Sequence, residues 1–434
     1  MSSQQQSNGS TLNYDRFLNP VAKKRAVSAL RKIWAIQYQA GPRMICLGTG
    51  TPNPFCFPFE SITVRTKIGQ NFTLQDKELD TALGYTASTG YPPLIDWLES
   101  FQKRLHDPPY ARDKPELNEV ITICGSEDGQ CKVLEMILEP GDPVLIIEPT
   151  YPGVLSALRP LGVNLFAVES DQNGVIPESL ETQLRTCSQS DGKRPKLFII
   201  QPNHINPTGV STTLERRKQI YQLACQYDIL LLEDDPYYFL TFNNEHLPPP
   251  SFLSMDTEGR VLRLDSFSKV VSSGLRIGTL SGPRPLVDPV MMHISCSTQH
   301  PSTLSQVLLH RLLSEQGQDG YLAHCKTVAM FYENRCQSML RAAEKHLTGL
   351  AEWTKPSGGM FLWMKVLGVT DTRKMIEEKG LERMVMLAPG CYFMLDDTLS
   401  TPFLRASFSG ASEEEMDEGF KRLAEIINEE TLGK

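Results

Sequence analysis

Several things are missing from this 434-residue chain, and each absence closes off a class of function. No run of about 18 apolar residues occurs, so no membrane span is expected. The opening dozen residues, MSSQQQSNGSTL, carry no apolar core of the kind a secretory signal requires. Basic charge is not in excess: 43 lysines and arginines against 51 acidic residues leave a net charge of −8, the wrong sign for a protein whose main partner is nucleic acid. The ten cysteines are scattered and never fall in a C-x-x-C pair. Neither a metal site nor a dithiol redox motif is therefore expected, and a reducing intracellular setting is the simplest reading. No internal repeat or long low-complexity segment stands out.

What is present has the composition of a soluble globular protein, 40% hydrophobic and 22% charged, with length for roughly two to three domains. A basic stretch, Lys23, Lys24, Arg25, Arg31 and Lys32, reads first as a solvated helix face. The cytoplasm is the expected location, with the mitochondrion as the alternative that this stretch leaves open.

From about residue 118 short apolar runs alternate with amphipathic ones, the pattern of βαβ units around a mostly parallel sheet. The runs are EVITIC (119–124), PVLIIEP (143–149), KLFIIQPN (196–203), DILLLEDD (228–235), RVLRLD (260–265) and RIGTLSG (276–282). Their lack of polar alternation fits strands covered on both faces. Helices are expected near 131–139, 153–158 and 214–227. Later come helices near 302–316 and 321–347, a strand at MFLWMKV and a closing helix near 413–429, which read as a smaller α+β domain.

In open α/β sheets ligands bind beyond the carboxyl ends of the strands, so the residues that follow each strand matter most. Gly125-Ser126 follow the first, Thr150-Tyr151 the second, and His204-Ile205 with the turn NPTG (206–209) the third. Asp234, Asp235, Pro236 and Tyr237 follow the fourth; Ser266, Ser268 and Lys269 follow the fifth, with Arg276 beyond. Each has a bland reading: NPTG is a good turn by itself, EDDPYY an acidic strand exit, Lys269 a surface lysine. Their occurrence in this order at consecutive strand ends makes chance a poor explanation.

In this order the segments resemble the fold-type I, class I/II aminotransferases that use pyridoxal 5′-phosphate. TPNPFCFPF (51–59), LEDDPYYFL (232–240), DSFSKVVSSGLRIG (265–278), HPSTLSQ (300–306), GMFLW (359–363) and FLRASFS (403–409) are most similar to the kynurenine/α-aminoadipate group and its fungal aromatic relatives. The resemblance covers nearly the whole chain. It implies a large domain with a mostly parallel seven-stranded sheet in an α/β/α sandwich (61–325) and a smaller α+β domain (326–434). Residues 1–60 would be an N-terminal arm that joins the small domain.

The resemblance also implies roles. Lys269 would form the Schiff base to the cofactor aldehyde and shuttle the substrate proton. Ser126, Ser266, Ser268 and Arg276, with the backbone at Glu127, would cup the phosphate. Asp234 would face the pyridine nitrogen, Tyr237 and Asn206 would donate to the phenolic oxygen, and Tyr151 would stack on the ring. Arg405 would take the substrate α-carboxylate, with Gly50, Arg31, Tyr85, Tyr151, Asn206 and Phe361 around the substrate. Tyr85 would reach the phosphate of a second subunit, which implies a homodimer. The implied reaction moves the amino group of an L-amino acid with a large side chain (kynurenine, 2-aminoadipate, aromatic or leucine-like) to a 2-oxo acid such as 2-oxoglutarate, with ping-pong kinetics. A β-lyase or decarboxylase on the same fold would keep the cofactor residues, and a non-catalytic ligand-binding module is a more distant alternative. One departure stands out: relatives commonly carry amides after the phosphate-loop serine, where this chain has Glu127 and Asp128. Both carboxylates are expected to turn to solvent, Glu127 beside a neighbouring cation, with weaker cofactor retention as the result.

Overall fold

The computed structural model describes residues 12–432 apart from 42, 46, 190–192 and 243–247. A hairpin comes first, β1 (Ser61–Arg65) with β2 (Asn71–Gln75). It has no counterpart among the expected strands, because only Phe72 and Leu74 of β2 are buried and the sequence there is mostly polar.

The central sheet is built from β3 (Asn118–Ile123), β4 (Pro143–Glu148), β5 (Asn164–Asp171), β6 (Gly174–Val175), β7 (Leu197–Ile200), β8 (Leu230–Asp234), β9 (Val261–Ser266) and β10 (Gly278–Pro283). Their order is β3-β10-β9-β8-β7-β4-β5-β6. Seven of these are the expected sheet; the eighth, β6, is a two-residue antiparallel addition to the end of β5. The unbroken apolar runs have the anticipated cause. Val144 and Ile146 of β4 pack into the core on one face while Leu145 and Ile147 pack on the other, and Leu230 and Leu232 oppose Leu231 in the same way. Helices Ser126–Ile137 and Arg284–Cys296 cover the first face; Leu214–Gln226 covers the second.

Strands β5, β4, β7, β8 and β9 run parallel, whereas β10 is antiparallel to both β9 and β3. The carboxyl ends of β3, β4, β7, β8 and β9 therefore lie along one edge. Because β10 runs the other way, its beginning, and with it Arg276, returns to that same edge. One reversed strand thus lets the loop 267–277 present both a lysine and an arginine to one place.

A second sheet combines β11 (Ala351–Trp353), β12 (Phe361–Val366), β13 (Ala388–Pro389) and β14 (Phe403–Ser407) in the order β11-β12-β14-β13, all antiparallel. Its buried face packs on helix Glu413–Leu432 and on the later part of helix Thr303–Leu347. The two expected helices in that last region are both present within Thr303–Leu347 and meet at a kink at Gly317, whose φ of 64° and ψ of 175° no helix contains. Among the described residues no helix is long and apolar enough to cross a membrane, and no cluster of side chains could hold a metal ion.

Candidate active site

The apolar pattern placed the helix after β3 at 131–139, whereas the resemblance put its start after Gly125; it begins at Ser126, because Gly125 takes φ 82° and turns the chain directly into the first helical turn. A Cβ at Gly125 would stand 2.5 Å from Nη2 of Arg276, so glycine is what lets the guanidinium close on the helix start. Arg276 is itself left-handed (φ 55°) and donates from Nη1 to the Ser273 carbonyl at 3.2 Å and from Nη2 to that of Cys124 at 3.3 Å.

A cavity of about 280 Å³ opens at the carboxyl edge of the large sheet and reaches the inner face of β12 and β14. It brings together twelve of the expected site residues: Ser126, Glu127, Tyr151, Asn206, Asp234, Tyr237, Ser266, Ser268, Lys269, Arg276, Phe361 and Arg405. Two others, Tyr85 and Gly50, are not among its lining. Tyr85 is half exposed, with its ring edge-on to His300 at 5.9 Å. Gly50 is exposed, and a Cβ there would meet nothing within 4 Å. Arg31 lies on helix Ala29–Ala40, but its side chain is outside the described residues.

Hydrogen bonds fix the cavity floor. Gln201 joins two of its parts, donating from Nε2 to Asp234 Oδ2 at 3.0 Å and accepting at Oε1 from the Asn206 backbone N–H at 3.1 Å. Asn206 Oδ1 accepts from Arg405 Nη1 at 2.8 Å. The Arg405 guanidinium lies 4.2 Å from the centre of the Phe361 ring and 4.7 Å from that of Phe393, two aromatic faces that hold a cation in one plane. Two buried polar atoms lack a partner: Asp234 Oδ1 and Arg405 Nε.

Burial, and then the positive charge of Arg276, lowers the pKa of Lys269 and favours its neutral amine. Burial raises Asp234 to about 6, with Asp265 adding to the rise and the Gln201 hydrogen bond opposing it. Burial also pushes Tyr237 up, helped by Asp234, so its hydroxyl keeps its proton and can donate.

The departure at 127–128 resolves into two different residues. Asp128 does turn away: it pairs with Lys132 and accepts from the Cys124 N–H at 3.4 Å. Glu127 is exposed yet lines the cavity, and no ion-pair partner meets it among the described residues, contrary to the expected neighbouring cation. Its charge instead contributes to raising Tyr151, after burial.

Sequence reading missed Gln201, Gln130, Ser273 and Phe393. Gln201 was visible in hindsight as the polar residue that ends the run KLFII. It also set aside His204, which is buried at 2% exposure in the left-handed region (φ 48°). The His204 ring bridges Thr241 Oγ1 at 2.9 Å and Ser211 Oγ at 3.2 Å, and it packs on Gly358 and Gly359 just before β12. It therefore ties together the segments that carry Asn206, Tyr237 and Phe361.

The donor set fits pyridoxal phosphate on two structural grounds. A buried carboxylate with one oxygen unpartnered calls for an N–H donor, which a protonated pyridine nitrogen supplies. Two serines, a guanidinium and the start of a twelve-residue helix converge as a dianion requires.

A sequence model of the family described as aminotransferase class I and II matches residues 70–423. The kynurenine/alpha-aminoadipate aminotransferase, mitochondrial, of Bos taurus is 45% identical over 427 residues, covering 96% of this chain and 100% of that protein. Among solved structures, aminotransferase Aro8 from Candida albicans is 27% identical with a TM-score of 0.85, covering 97% of this chain and 99% of that one. A Pyrococcus horikoshii kynurenine aminotransferase, solved with PMP, KYN as substrates and KYA as products, is 29% identical with a TM-score of 0.75, covering 96% and 98%.

Proposed function

The chain belongs to the class I and II aminotransferases and is a pyridoxal-phosphate-dependent transaminase, and we propose that its amino donors are L-amino acids with large side chains, among them kynurenine, 2-aminoadipate and the aromatic amino acids, with a 2-oxo acid such as 2-oxoglutarate as acceptor. The names of its relatives support that range. The observation that carries the reading is the meeting of a lysine, a half-satisfied buried carboxylate and two arginines in one cavity.

When bound, pyridoxal phosphate supplies the sink for the electron pair left at the substrate Cα. Arg405, oriented by Asn206 and its two aromatic neighbours, binds the α-carboxylate and so sets which face of Cα meets Lys269. The lowered pKa of Lys269 lets its Nζ take the Cα proton and return it later; positioned proton transfer of this kind is worth roughly 10²–10⁴-fold in rate. Asp234, with Oδ1 free, would hold the pyridine N–H proton in place. Tyr237 and Asn206 would hold the phenolic oxygen, while Ser126, Ser266, Ser268 and Arg276 would anchor the phosphate. Tyr151 and Phe361 bound the remaining faces.

In this reading residues 61–325 hold the cofactor, 326–434 carry Phe361 and Arg405, and 1–60 form the arm. The functional unit is a homodimer in which Tyr85 of each chain serves the other's cavity, with Gly50 and Arg31 near the substrate. The apolar residues Ile45, Leu47 and Phe55, exposed at 85%, 95% and 95%, support a covered surface there. The relatives named as mitochondrial favour that location over the cytoplasm expected first. Initial rates with varied L-kynurenine and 2-oxoglutarate test the activity. Parallel double-reciprocal lines and glutamate as product are expected; release of carbon dioxide or ammonia without glutamate would assign another reaction.

A further inference from the structure

His204 keeps a backbone conformation that suits glycine better than histidine. Its φ of 48° lies in the left-handed region, where a residue with a Cβ is strained, and the residue is buried at 2% exposure. Strain of this kind persists only where the surroundings enforce it, and it collects at functional sites. His204 is not among the residues that line the catalytic cavity, so any part it takes in the reaction runs through the residues it holds.

The hydrogen bonds around the ring have one consistent direction. The Thr241 hydroxyl donates to the Tyr238 carbonyl at 3.5 Å, which leaves Thr241 Oγ1 to accept from Nε2–H. Ser211 Oγ accepts from the His204 backbone N–H at 3.0 Å, which leaves its own proton for Nδ1. A neutral ring therefore bridges the turn after β7 to the loop after β8. Thr241 in turn pairs with Gly358 in an isolated β-bridge, flanked by bonds from Phe242 N–H to the Ser357 carbonyl and from Gly359 N–H to the Leu240 carbonyl, both 2.9 Å. A Cβ at Gly358 would stand 2.2 Å from His204 Cε1, so the ring fills the space that a side chain at 358 would need. Beyond this contact the chain enters β12 at Phe361, whose carbonyl would lie 3.2 Å from a Cβ at Gly209 of the same turn as Asn206.

We propose that His204 is a positioning residue for the amino donor: its ring fixes the spacing between the turn that carries Asn206 and the strands that carry Phe361 and Arg405, and thereby the geometry in which Arg405 meets the α-carboxylate. The bond from Arg405 Nη1 to Asn206 Oδ1 crosses that same gap, and β14, which bears Arg405, is paired to β12 along its length. The proposal rests on the reading that Arg405 takes the α-carboxylate. It also gives the strained backbone a reason: glycine would relieve the φ but could not bridge the two hydroxyls.

The test separates the bridge from the backbone. His204→Gln carries an amide nitrogen with the reach of Nε2 and keeps the Thr241 bond, whereas His204→Asn reaches only as far as Nδ1 but takes a left-handed φ readily. With L-kynurenine or L-2-aminoadipate varied against the cofactor-loaded protein, His204→Asn should raise the KM of the donor about tenfold, the worth of one hydrogen bond. Its kcat should change little, the split expected when binding shared by the ground and transition states is lost. His204→Gln should stay near the parent, and Thr241→Val, which removes the acceptor without touching the strained residue, should repeat the His204→Asn split. Cofactor affinity, titrated into cofactor-free protein, should be unchanged in all three and reports their folding, since the ring bonds none of Lys269, Asp234 or Arg276. A parental KM in His204→Asn would overturn the proposal. So would His204→Asn outperforming His204→Gln, which would make the backbone conformation the whole role, or a loss of cofactor affinity with KM unchanged, which would make the role purely structural. Arg405→Gln measured alongside keeps the two readings apart: if it leaves the donor KM unchanged, carboxylate binding by Arg405 falls and the proposal with it; if it raises KM while His204→Asn does not, the proposal alone falls.

Discussion

Asp234 and Asp235 are consecutive residues at the end of β8, both buried, and they face two different regions. Asp234 looks into the catalytic cavity with one oxygen unpartnered. Asp235 also has an unpartnered oxygen, Oδ1, but it looks into a charge cluster behind it, where Oδ2 accepts from Arg263 Nη1 at 3.0 Å and from Asn203 Nδ2 at 2.8 Å. The same fully buried Arg263 also meets Glu233 at 3.1 Å and Asp265 at 2.7 Å, with its guanidinium 4.9 Å from the centre of the Tyr238 ring. Glu233 in turn accepts from the backbone N–H groups of Phe252 and Leu253. The cluster spends its charges on the protein itself; the cavity keeps several in reserve. A strand end can thus place adjacent carboxylates in opposite roles, one bracing the sheet and one left for a ligand.

The sharpest test of that contrast is to remove the central basic side chain of each region. Lys269→Ala should lower turnover by at least roughly 10²–10⁴-fold while leaving the denaturant midpoint near that of the parent; a variant that still transaminates at the parental rate would break the assignment. Arg263→Met should do the reverse. It strands three carboxylates and should cost about 3–5 kcal/mol of unfolding free energy, measured in urea; an unchanged midpoint would show that the cluster is not structural.

A smaller effect lies in the pH dependence of stability, where burial raises both aspartates. Asp234 has a folded pKa of about 6 against an ordinary value of 3.8, so the folded state binds its proton more tightly than the unfolded chain does. The stability this contributes is present below about pH 4 and is lost as pH rises through about 6, a span on the order of 3 kcal/mol. In cofactor-free protein, Asp234→Asn should flatten that fall between pH 4 and 6.5. A curve identical to the parent's would contradict the unpartnered oxygen. The smallest effect concerns Glu127, whose unpaired carboxylate borders the phosphate position. Glu127→Gln should tighten cofactor binding by about two- to fivefold, as expected for an exposed charge, and an unaltered dissociation constant would remove Glu127 from the account.

Much of the cavity could be read in the sequence, because its residues sit at or just beyond strand ends, and those ends are marked by apolar runs that stop shortly before Asn206, Asp234 and Ser266. What escaped depends on contacts between distant segments. Phe393 stacks on Arg405 from the short 3-10 helix Gly390–Phe393 with no periodic signal, and Gln201 directly follows β7, where a polar residue is ordinary. Arg263 gave a sign that passed unused: a charged residue inside a strand covered on both faces must be paired, because an isolated buried charge is too costly. The hairpin β1–β2 was hidden by its polar composition.

The account rests on one half-reaction. L-2-Aminoadipate or L-kynurenine added to the purified protein with its cofactor, and with no 2-oxo acid present, should convert the visible absorption of the lysine-linked cofactor to that of the pyridoxamine form and release about one 2-oxo acid per chain. A protein that holds the cofactor but shows neither change with any large L-amino acid would contradict it.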